Sequence, residues 1–276
     1  MLADRVAPGP PRPEAEIVAS IRAGGPGLVA LSGGVDSGVV AALAYEALGP
    51  NALAVTLGGP AVARSEVDRA GRVARAIGIA HRVVEIDPIA RPEYRANPSN
   101  RCYFCRSVET DALRRVGASR GIVQYLDGVH LDDLHDDRPG LRAMDEAGFV
   151  HPLARAGWTK DDVRAAARRR GLPNWDAPSD ACLASRVAHG EPISRELLAR
   201  VEAAESWLRS EGFRRVRVRA RGGAARVEVD PDEVARLLEA PRAARARAEL
   251  GRLGFAPVEL DPAGYRASRR AGPGSP

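Results

Sequence analysis

The sequence has little lysine, cysteine or aromatic content and no long apolar run. Lys160 is the single lysine among its 41 basic residues. No stretch reaches the roughly 18 consecutive apolar residues that a membrane-spanning helix requires, so we expect no contact with a membrane. Residues 1–13 are rich in proline and glycine and lack the charged and then apolar pattern of a signal peptide. The sequence therefore predicts a cytoplasmic protein.

The scarcity of aromatic residues and the mixed charges argue against nucleic acid as a partner. Aromatic residues make up 4% of the chain, which leaves few rings on which bases could stack. The formal net charge is +5, from 41 basic and 36 acidic residues, and the two signs are interspersed. The arginine excess, with abundant alanine and glycine, is what a coding bias produces, but it also suits a phosphorylated small-molecule substrate.

The three cysteines, Cys102, Cys105 and Cys182, cannot all pair with one another. Because a cytoplasmic chain does not keep structural disulfides, a redox, metal-binding or nucleophilic role has to be considered. The first two open a predicted helix that runs to about Val116. Thiols three residues apart at a helix N-terminus can share one metal centre, and the helix dipole there favours thiolates. The alternative is two small buried side chains without a ligand.

The stretch 28–40, Leu-Val-Ala-Leu-Ser-Gly-Gly-Val-Asp-Ser-Gly-Val-Val, predicts a site for an anion. A buried strand ends at Leu31, two glycines turn the chain, and a helix follows from about Ser37. Glycines let the backbone approach a phosphate, while the helix N-terminus and the serine hydroxyls donate hydrogen bonds to it. Asp36 would repel a bare phosphate, which indicates a bound metal ion, although it could simply cap the helix. The predicted contact residues are Ser32, Gly33, Gly34, Asp36 and Ser37.

Helices and strands alternate along the first half of the chain, which predicts the α/β class with a doubly wound parallel sheet. Ligands bind such sheets at the carboxyl ends of the strands, where the glycine-containing loop falls. The region after residue 190 changes to a helix, a hairpin and further helices, which predicts a smaller α+β domain. We expect domains at 14–188 and 189–265 and disorder at 1–13 and 268–276. Besides the helix that Cys102 and Cys105 open, predicted helices are 14–23, 37–48, 65–77, 161–170, 195–210 and 232–239, with a further one to about residue 253. Predicted strands are 28–31, 52–57, 81–86, 122–126, 216–220, 225–229 and 257–260.

Acidic residues follow the fourth predicted strand, on the same edge as the loop. Asp127-Gly128 comes directly after it, and Asp132 and Asp133 follow. Such carboxylates could hold the metal or shape a nucleotide site, although they are also ordinary turn and cap residues. A lone histidine such as His130 is more often structural than a ligand.

Two further stretches carry candidate residues for an anionic substrate. The segment 172–186 has two prolines and no clear period, which predicts an ordered loop. Cys182 lies there beside Ser185 and Arg186, a cationic setting that lowers a thiol pKa; an inert buried cysteine is the alternative. One face of the predicted hairpin suits bidentate recognition of phosphate, or is simply solvated. That face carries Arg217, Arg219, Arg226 and Glu228.

In this order the motifs resemble the LarE family of PP-loop enzymes. The Ser-Gly-Gly-x-Asp-Ser loop is similar to the pyrophosphate loop of the N-type ATP pyrophosphatases. The resemblance covers about residues 14–262 and is most specific at Ala-Cys-Leu-Ala-Ser-Arg. The motifs that carry it after the loop are Cys102-x-x-Cys105, Asp127-Gly128 with Asp132-Asp133, Arg138-Pro-Gly140, Ala181–Arg186, Arg217-Val-Arg219 and Ala225-Arg-Val-Glu228.

The resemblance implies an ATP-dependent sulfurtransferase in the synthesis of the nickel-pincer nucleotide. Its substrate would be pyridinium-3,5-biscarboxylic acid mononucleotide. Mg-ATP would adenylate one carboxylate with release of pyrophosphate, and sulfur would then replace AMP. The resemblance implies that pyrophosphate and ATP are bound by Ser32, Gly33, Gly34, Asp36, Ser37 and Gly128. It implies Mg²⁺ binding by Asp36 and catalysis by Asp36 and Cys182. For the substrate it implies phosphate binding by Arg217 and Arg219, with further contacts by Ser185, Arg186 and Glu228.

The family has two sources of sulfur. Some members sacrifice the sulfur of the cysteine that corresponds to Cys182, whereas others hold a [4Fe-4S] cluster on three cysteines. Because Cys102 and Cys105 are also present, the resemblance predicts the cluster-bearing version, refilled by a sulfide donor. His130 stands where the family more often has asparagine, which leaves its part in the nucleotide site open.

Three functions compete with this interpretation. Enzymes that thiolate tRNA combine the same loop with three cysteines and a cluster. They need a broad basic surface or an RNA-binding appendage, and the small, charge-balanced region 190–270 does not look like one. A nucleotide- or cluster-binding sensor would hold ATP without cleaving it, and an amidotransferase-like synthetase would have no need for three cysteines. The resemblance also implies a homo-oligomer such as a hexamer, with the hairpin edge as a contact surface.

Overall fold

The computed structural model of the protein describes residues 10–135, 139–177 and 181–266. The chain divides between Ala181 and Cys182 into two compact units, here called the N-terminal and the C-terminal unit. The domain limits predicted from the sequence, 14–188 and 189–265, stay a prediction. The predictions for residues 1–9, Arg138 and 268–276 fall outside the described residues.

The N-terminal unit contains a parallel sheet of four strands in the order β3-β2-β1-β4. Leu28 of the first strand pairs with Leu53 on one side and with Tyr125 on the other, all in parallel. Non-consecutive neighbours mean that the chain crosses over between strands, as a doubly wound sheet requires. The predicted α/β class is confirmed. The strands are β1 (Gly27–Ala30), β2 (Ala52–Gly58), β3 (Ala80–Glu85) and β4 (Gln124–Leu126).

Helices cover both faces of this sheet. On one face the apolar side of α2 packs with Val29 and Ala54, and on the other Leu113 of α5 packs with Leu28 and Val55. Helix α2 is buried over most of its length, which fits its nearly uniform run of valine, alanine and leucine. The helices are α1 (Glu14–Ala23), α2 (Val35–Leu48), α3 (Arg64–Ile77), α4 (Pro92–Arg95), α5 (Arg101–Ala118), α6 (Pro139–Glu146), α7 (Pro152–Arg155) and α8 (Lys160–Arg169).

Local signals in the sequence explain several helix ends. Gly78 ends α3 in the left-handed conformation at φ 82°, which glycine adopts without strain. A capping box between Thr159 and Asp162 begins α8. Helix α2 begins two residues earlier than predicted, at Val35, because Gly34 takes the extended N-cap conformation. Arg12 lies in the segment expected to be disordered, yet its backbone bonds with Ala156 and Trp158.

The C-terminal unit is built on a three-stranded sheet in the order β5-β6-β7. The predicted hairpin is present, with Arg217 opposite Glu228 and Arg219 opposite Arg226. The predicted loop around Cys182 ends in a 3-10 turn, Leu183–Arg186, rather than staying irregular throughout. The elements are α9 (Arg195–Ser210), β5 (Val216–Arg221), β6 (Ala224–Val229), α10 (Val234–Leu238), α11 (Ala240–Arg252) and β7 (Val258–Leu260).

The helices of the described residues are too short or too polar to cross a membrane. The longest of them, α5, has 18 residues and carries charged side chains along its length.

Candidate functional site

The loop between β1 and α2 folds into a compact turn that its own serines hold. The Ser37 hydroxyl lies 3.1 Å from the Ser32 hydroxyl and accepts the Ser32 backbone N–H at the same distance. Ser32 Oγ accepts the N–H of Gly34 at 3.3 Å, and Ser37 Oγ donates to the Gly34 carbonyl at 3.2 Å. These internal hydrogen bonds fix the shape of the loop, which lies at the carboxyl edge of the sheet where the sequence predicted an anion site.

Gly33 brings this loop against α3. Its φ of +82° is left-handed, and a Cβ at this position would lie 2.8 Å from the Glu66 carbonyl oxygen. Asn174 holds the loop from the other side, since its buried side chain donates to the Gly33 carbonyl at 3.0 Å. Asn174 lies in the 172–186 segment that the sequence marked as functional, but sequence reasoning did not single out this residue.

Asp36 forms an ion pair that the sequence did not predict. Lys160 Nζ lies 2.6 Å from both carboxylate oxygens of Asp36. The side chains are only partly buried, with 24% of Lys160 and 26% of Asp36 exposed, so a ligand in solution can reach both. The one signal in the sequence was the isolated lysine of an arginine-rich chain.

Asp127 and Gly128 pack the β4 loop onto the start of α2. A Cβ at position 128 would lie 2.6 Å from the Ser37 nitrogen and 2.9 Å from the Asp36 carbonyl carbon, so glycine is needed for this approach. Asp127 accepts the N–H of Val129 at 3.1 Å. The structure therefore brings Gly128 against the backbone of the loop between β1 and α2, residues 32–37, which is called the phosphate loop below after the anion site predicted there.

A buried histidine holds Asp127 in place. His151 Nδ1 lies 2.7 Å from Asp127 Oδ1, and its Nε2 lies 3.0 Å from Asp145 Oδ1. Burial lowers the pKa of His151, but the hydrogen bonds and charges of the two carboxylates outweigh burial and raise that pKa above its usual value. Nothing in the sequence pattern marked this Asp-His-Asp cluster, whose members are separated along the chain.

The other acidic residues after β4 have structural partners. Asp132 Oδ2 accepts the backbone N–H of Lys160 at 2.8 Å, and Asp133 accepts the backbone N–H of His130 at 3.3 Å. His130 is buried, in keeping with the structural role that a lone histidine usually has. Asp132 thus helps to begin α8, the helix that carries Lys160.

Cys102 and Cys105 lie one turn apart in the first turns of α5. Cys102 is exposed and Cys105 is half-buried, with its Sγ 3.3 Å from Glu109 Oε1. Within the described ranges, no group of three or more histidine, cysteine, aspartate or glutamate side chains is close enough to hold a metal ion. Cys182, half-buried, belongs to the C-terminal unit.

In the C-terminal unit, Arg186 fixes the turn that begins at Cys182. Its Nη1 donates to the Cys182 carbonyl and to the Ser185 hydroxyl, each at 3.0 Å. Its Nε and Nη2 donate to the two oxygens of Glu205, at 2.8 and 3.2 Å. Glu205 is fully buried and also accepts Val218 N–H at 3.1 Å, which ties the turn to β5.

Sequence reasoning missed Glu205, although a signal was present. It lies on the stripe of α9 that is buried together with Leu198, Val201 and Leu208. A carboxylate at helical spacing on an apolar stripe has to be paired, and arginine is the partner that binds it bidentately.

The hairpin arginines have unequal surroundings. Arg219 is half-buried, donates from Nε to both oxygens of Glu228 at 3.2 and 3.3 Å, and bonds the Ser185 carbonyl at 3.2 Å. Arg217 is only 3% exposed and lies over the ring of Tyr265, 5.3 Å from its centroid, so the face is not simply solvated. Ser185, Arg186, Arg219 and Glu228 thus form one cluster.

Comparison with known proteins finds relatives over most of this chain. The NAD synthase family model matches residues 18–104, which include the loop. An uncharacterized protein of Synechocystis sp. is 41% identical over 242 residues, 88% of this chain and 90% of that protein. The pyridinium-3,5-bisthiocarboxylic acid mononucleotide synthase of Lactiplantibacillus plantarum is 34% identical over 242 residues, 87% of each chain. The tRNA-specific 2-thiouridylase MnmA of Desulforamulus reducens is 29% identical over 194 residues, 55% of this chain and 52% of that enzyme.

The chain is 34% identical to the synthase over 87% of its length, and its N-terminal unit carries the loop that the family model includes. These two findings assign the chain to a family. The chain belongs to the pyridinium-3,5-bisthiocarboxylic acid mononucleotide synthase family and is an enzyme of the ATP-dependent sulfurtransferase class with a PP-loop domain.

Proposed function

We propose that this protein transfers sulfur to pyridinium-3,5-biscarboxylic acid mononucleotide, in the synthesis of a nickel-pincer nucleotide. The proposal depends above all on one combination, a serine- and glycine-built anion loop in a chain that is 34% identical to a synthase for the corresponding bisthiocarboxylic acid. ATP and Mg²⁺ are the co-substrate and metal that such a loop with Asp36 implies.

The chemistry follows from the poor leaving ability of a carboxylate oxygen. A carboxylate oxygen of the substrate attacks the α-phosphorus of ATP, and pyrophosphate leaves. A sulfur nucleophile then attacks the acyl carbon, and AMP leaves with both electrons of the broken C–O bond, giving a thiocarboxylate. The loop Ser32–Ser37 with Gly128 would hold the pyrophosphate, because backbone N–H groups at a helix N-terminus stabilise that charge.

The C-terminal residues would bind the substrate. Arg217 and Arg219 would bind its phosphate, and Ser185, Arg186 and Glu228 would make further contacts. Arg186 already bonds to Glu205 and to the Cys182 turn, so its main contribution would be to position Cys182. Cys182 would act in sulfur delivery.

We propose a [4Fe-4S] cluster as the sulfur source, with Cys102, Cys105 and Cys182 as its ligands. Two thiols one turn apart at the N-terminus of α5 fit this role, because the helix dipole favours thiolates there. When bound, the cluster would supply sulfide to the activated carboxylate. The alternative is that Cys182 gives up its own sulfur once.

Pyrophosphate release tests the enzymatic part of the proposal. We expect release from ATP only when the pyridinium dicarboxylate mononucleotide is added, and we expect Asp36→Asn to lower the rate strongly. Release that is independent of the carboxylate, or none at all with bound ATP, would favour a nucleotide-binding sensor instead.

Iron analysis and intact mass test the sulfur source. After anaerobic reconstitution we expect about four irons per chain with matching acid-labile sulfide, and an unchanged protein mass after turnover. We expect Cys102→Ala to abolish iron binding. No iron, with a loss of one hydrogen sulfide that maps to Cys182, would establish the sacrificial route, and repeated turnover with a full cluster in Cys102→Ala would contradict the ligand assignment.

Thiolation of tRNA is the second candidate, because of the partial identity to a tRNA-specific 2-thiouridylase. The interspersed charges of the chain speak against it. The affinity of the protein for tRNA, measured at increasing salt concentration, distinguishes the two functions. A tight complex whose log affinity falls steeply with log salt would favour the tRNA enzyme.

A further inference from the structure

Tyr265 lies against two arginines of the C-terminal hairpin. The guanidinium carbons of Arg215 and Arg217 lie 5.2 and 5.3 Å from the centroid of its ring, within the range of a cation–π contact. The two arginines are two residues apart, the spacing of neighbours on one face of a strand, and both contact the same ring. Because Arg217 is a proposed ligand of the substrate phosphate, Tyr265 is in contact with that proposed site.

The backbone of its own segment holds Tyr265 in place. After β7 the chain runs along β6, and the N–H groups of Asp261 and Tyr265 donate to the carbonyls of Val227 and Val229, at 2.9 and 2.6 Å. Gly264 makes this course possible, because its φ is +68° and a Cβ there would lie 2.8 Å from the Val229 carbonyl oxygen. These contacts do not involve the arginines, so the segment fixes the ring and the ring can orient the guanidiniums.

Arg215 and Arg217 differ in their surroundings. The side chain of Arg215 is 36% exposed, and its Nη1 lies 3.2 Å from a carboxylate oxygen of Asp230. Arg217 is buried, and its Nη1 donates to the Val216 carbonyl at 2.9 Å. An aromatic ring attracts a guanidinium by the negative face of its π system but carries no net charge, so it does not repel a phosphate as a carboxylate does. Tyr265 therefore holds Arg217 without adding a negative charge beside it.

An arginine that is already held in place binds an anion more tightly than a mobile one. Its side chain has several rotatable bonds, and ordering them on binding costs free energy. Where a ring and a backbone carbonyl already hold the guanidinium, little ordering is left for the moment of binding. More of the attraction between guanidinium and phosphate then appears as affinity.

We propose that Tyr265 is a positioning residue of the substrate site, and that its ring holds the guanidinium of Arg217 where the phosphate group of the mononucleotide binds. Tyr265 acts on the phosphate through Arg217 and not through its own hydroxyl. This inference rests on the proposed function, since it takes the pyridinium mononucleotide as the ligand of Arg217.

Calorimetry on the full chain tests the role of the ring. Tyr265→Leu removes the ring, and we expect it to bind the mononucleotide about 3- to 30-fold more weakly, the factor that corresponds to the loss of one cation–π contact. Tyr265→Phe keeps the ring and should bind the mononucleotide like the wild type. The affinity for ATP should be the same in all three proteins, because the phosphate loop belongs to the other unit.

The riboside that lacks the phosphate group separates positioning of Arg217 from a general effect on the site. Because this riboside offers no phosphate to Arg217, we expect Tyr265→Leu and the wild type to bind it with the same affinity. Equal weakening for the mononucleotide and the riboside would overturn the proposal. So would an unchanged affinity of Tyr265→Leu for the mononucleotide, or a loss in Tyr265→Phe as large as that in Tyr265→Leu.

Phe255→Leu is the matched control, because Phe255 is also an aromatic ring beside an arginine of this unit, with Arg200 5.1 Å from its centroid. We expect it to lower stability and to leave the affinity for the mononucleotide unchanged. Weakening as large as that of Tyr265→Leu would show an unspecific effect and overturn the proposal. If melting curves show that Tyr265→Leu is not folded, Tyr265→Met replaces it with the same expectations, since methionine fills the space without a π face.

The outcome is separable from that of the proposed function. Wild-type protein that binds the mononucleotide with the expected dependence on Tyr265 but forms no thiocarboxylate would refute the proposed reaction and leave the role of Tyr265 intact. Wild-type protein that releases pyrophosphate with the dicarboxylate, beside a Tyr265→Leu variant of unchanged affinity, would refute the role of Tyr265 alone.

Discussion

At the scale of single residues, Glu205 is the buried charge on which the Cys182 turn depends. It accepts hydrogen bonds from Arg186, from Arg209 at 2.9 Å and from the backbone of Val218. One carboxylate thus connects α9, β5 and the turn that carries Cys182. A buried charge stabilises the arrangement only when all of its hydrogen-bond partners are present, because removing one group leaves another buried and uncompensated.

We expect Glu205→Gln to lower the free energy of unfolding by about 3–5 kcal/mol, because it removes the buried carboxylate that Arg186 binds through two nitrogens. Denaturant unfolding measures this. Glu196→Gln, an exposed change on the same helix, is the control and should have a much smaller effect. Equal effects of the two substitutions would contradict the importance of the buried pair.

His151 is the second residue whose surroundings predict a measurable effect. Its folded pKa is raised by Asp127 and Asp145, so its stabilising contribution is complete below its ordinary pKa of about 6.5 and is lost as pH rises through the raised value. We expect the difference in unfolding free energy between wild type and His151→Gln to shrink from pH 6 to pH 9. A difference that stays constant over this range would show that the imidazolium is not the stabilising form.

At the scale of elements, the phosphate loop connects β1 to α2 and packs against α3. Two adjacent glycines have different tasks in it. Gly33 needs a left-handed backbone and the close approach to α3, whereas Gly34 has an ordinary φ of −72° and a Cβ there would meet Ser32 Oγ at 3.4 Å.

We therefore expect Gly33→Ala to cost at least about 1–2 kcal/mol of stability, from the left-handed conformation alone, and to weaken ATP binding. Gly34→Ala should be close to wild type in thermal unfolding. A matching loss in both variants would mean that the conformation at position 33 is not the limiting feature. The paired measurement needs only melting curves with and without ATP.

At the scale of the whole molecule, the two edges of the C-terminal sheet bear on assembly. The outer edge of β5 is partly covered, since Ala188 N–H bonds the Ala220 carbonyl at 3.2 Å beside a bridge from Val187. At the other edge of the sheet β7 has three residues. A short strand and a covered one leave less free edge for pairing than the sequence suggested.

We nevertheless expect a homo-oligomer such as a hexamer, as the family resemblance implies. Static light scattering at micromolar concentration measures the mass directly. A monomer of 29.3 kDa would refute this expectation.

Much of the fold and part of the site could be predicted from the sequence. Helices α1 and α9 begin and end at the predicted residues, because charged and apolar positions repeat at helical spacing and their ends carry local signals. The phosphate loop was predictable for a similar reason: its glycines, serines and Asp36 are contiguous, and a turn needs only neighbours in sequence.

The tertiary structure alone decided the partners of the charged residues. Lys160 meets Asp36 across 124 residues, His151 joins Asp127 to Asp145, and Glu205 meets Arg186 across 19. Hydrogen bonds within a turn or helix follow from local spacing, and so they can be predicted from the sequence. Pairs between elements depend on strand order and helix packing. The chain has many arginines and carboxylates, and the sequence does not show which of them the fold brings together.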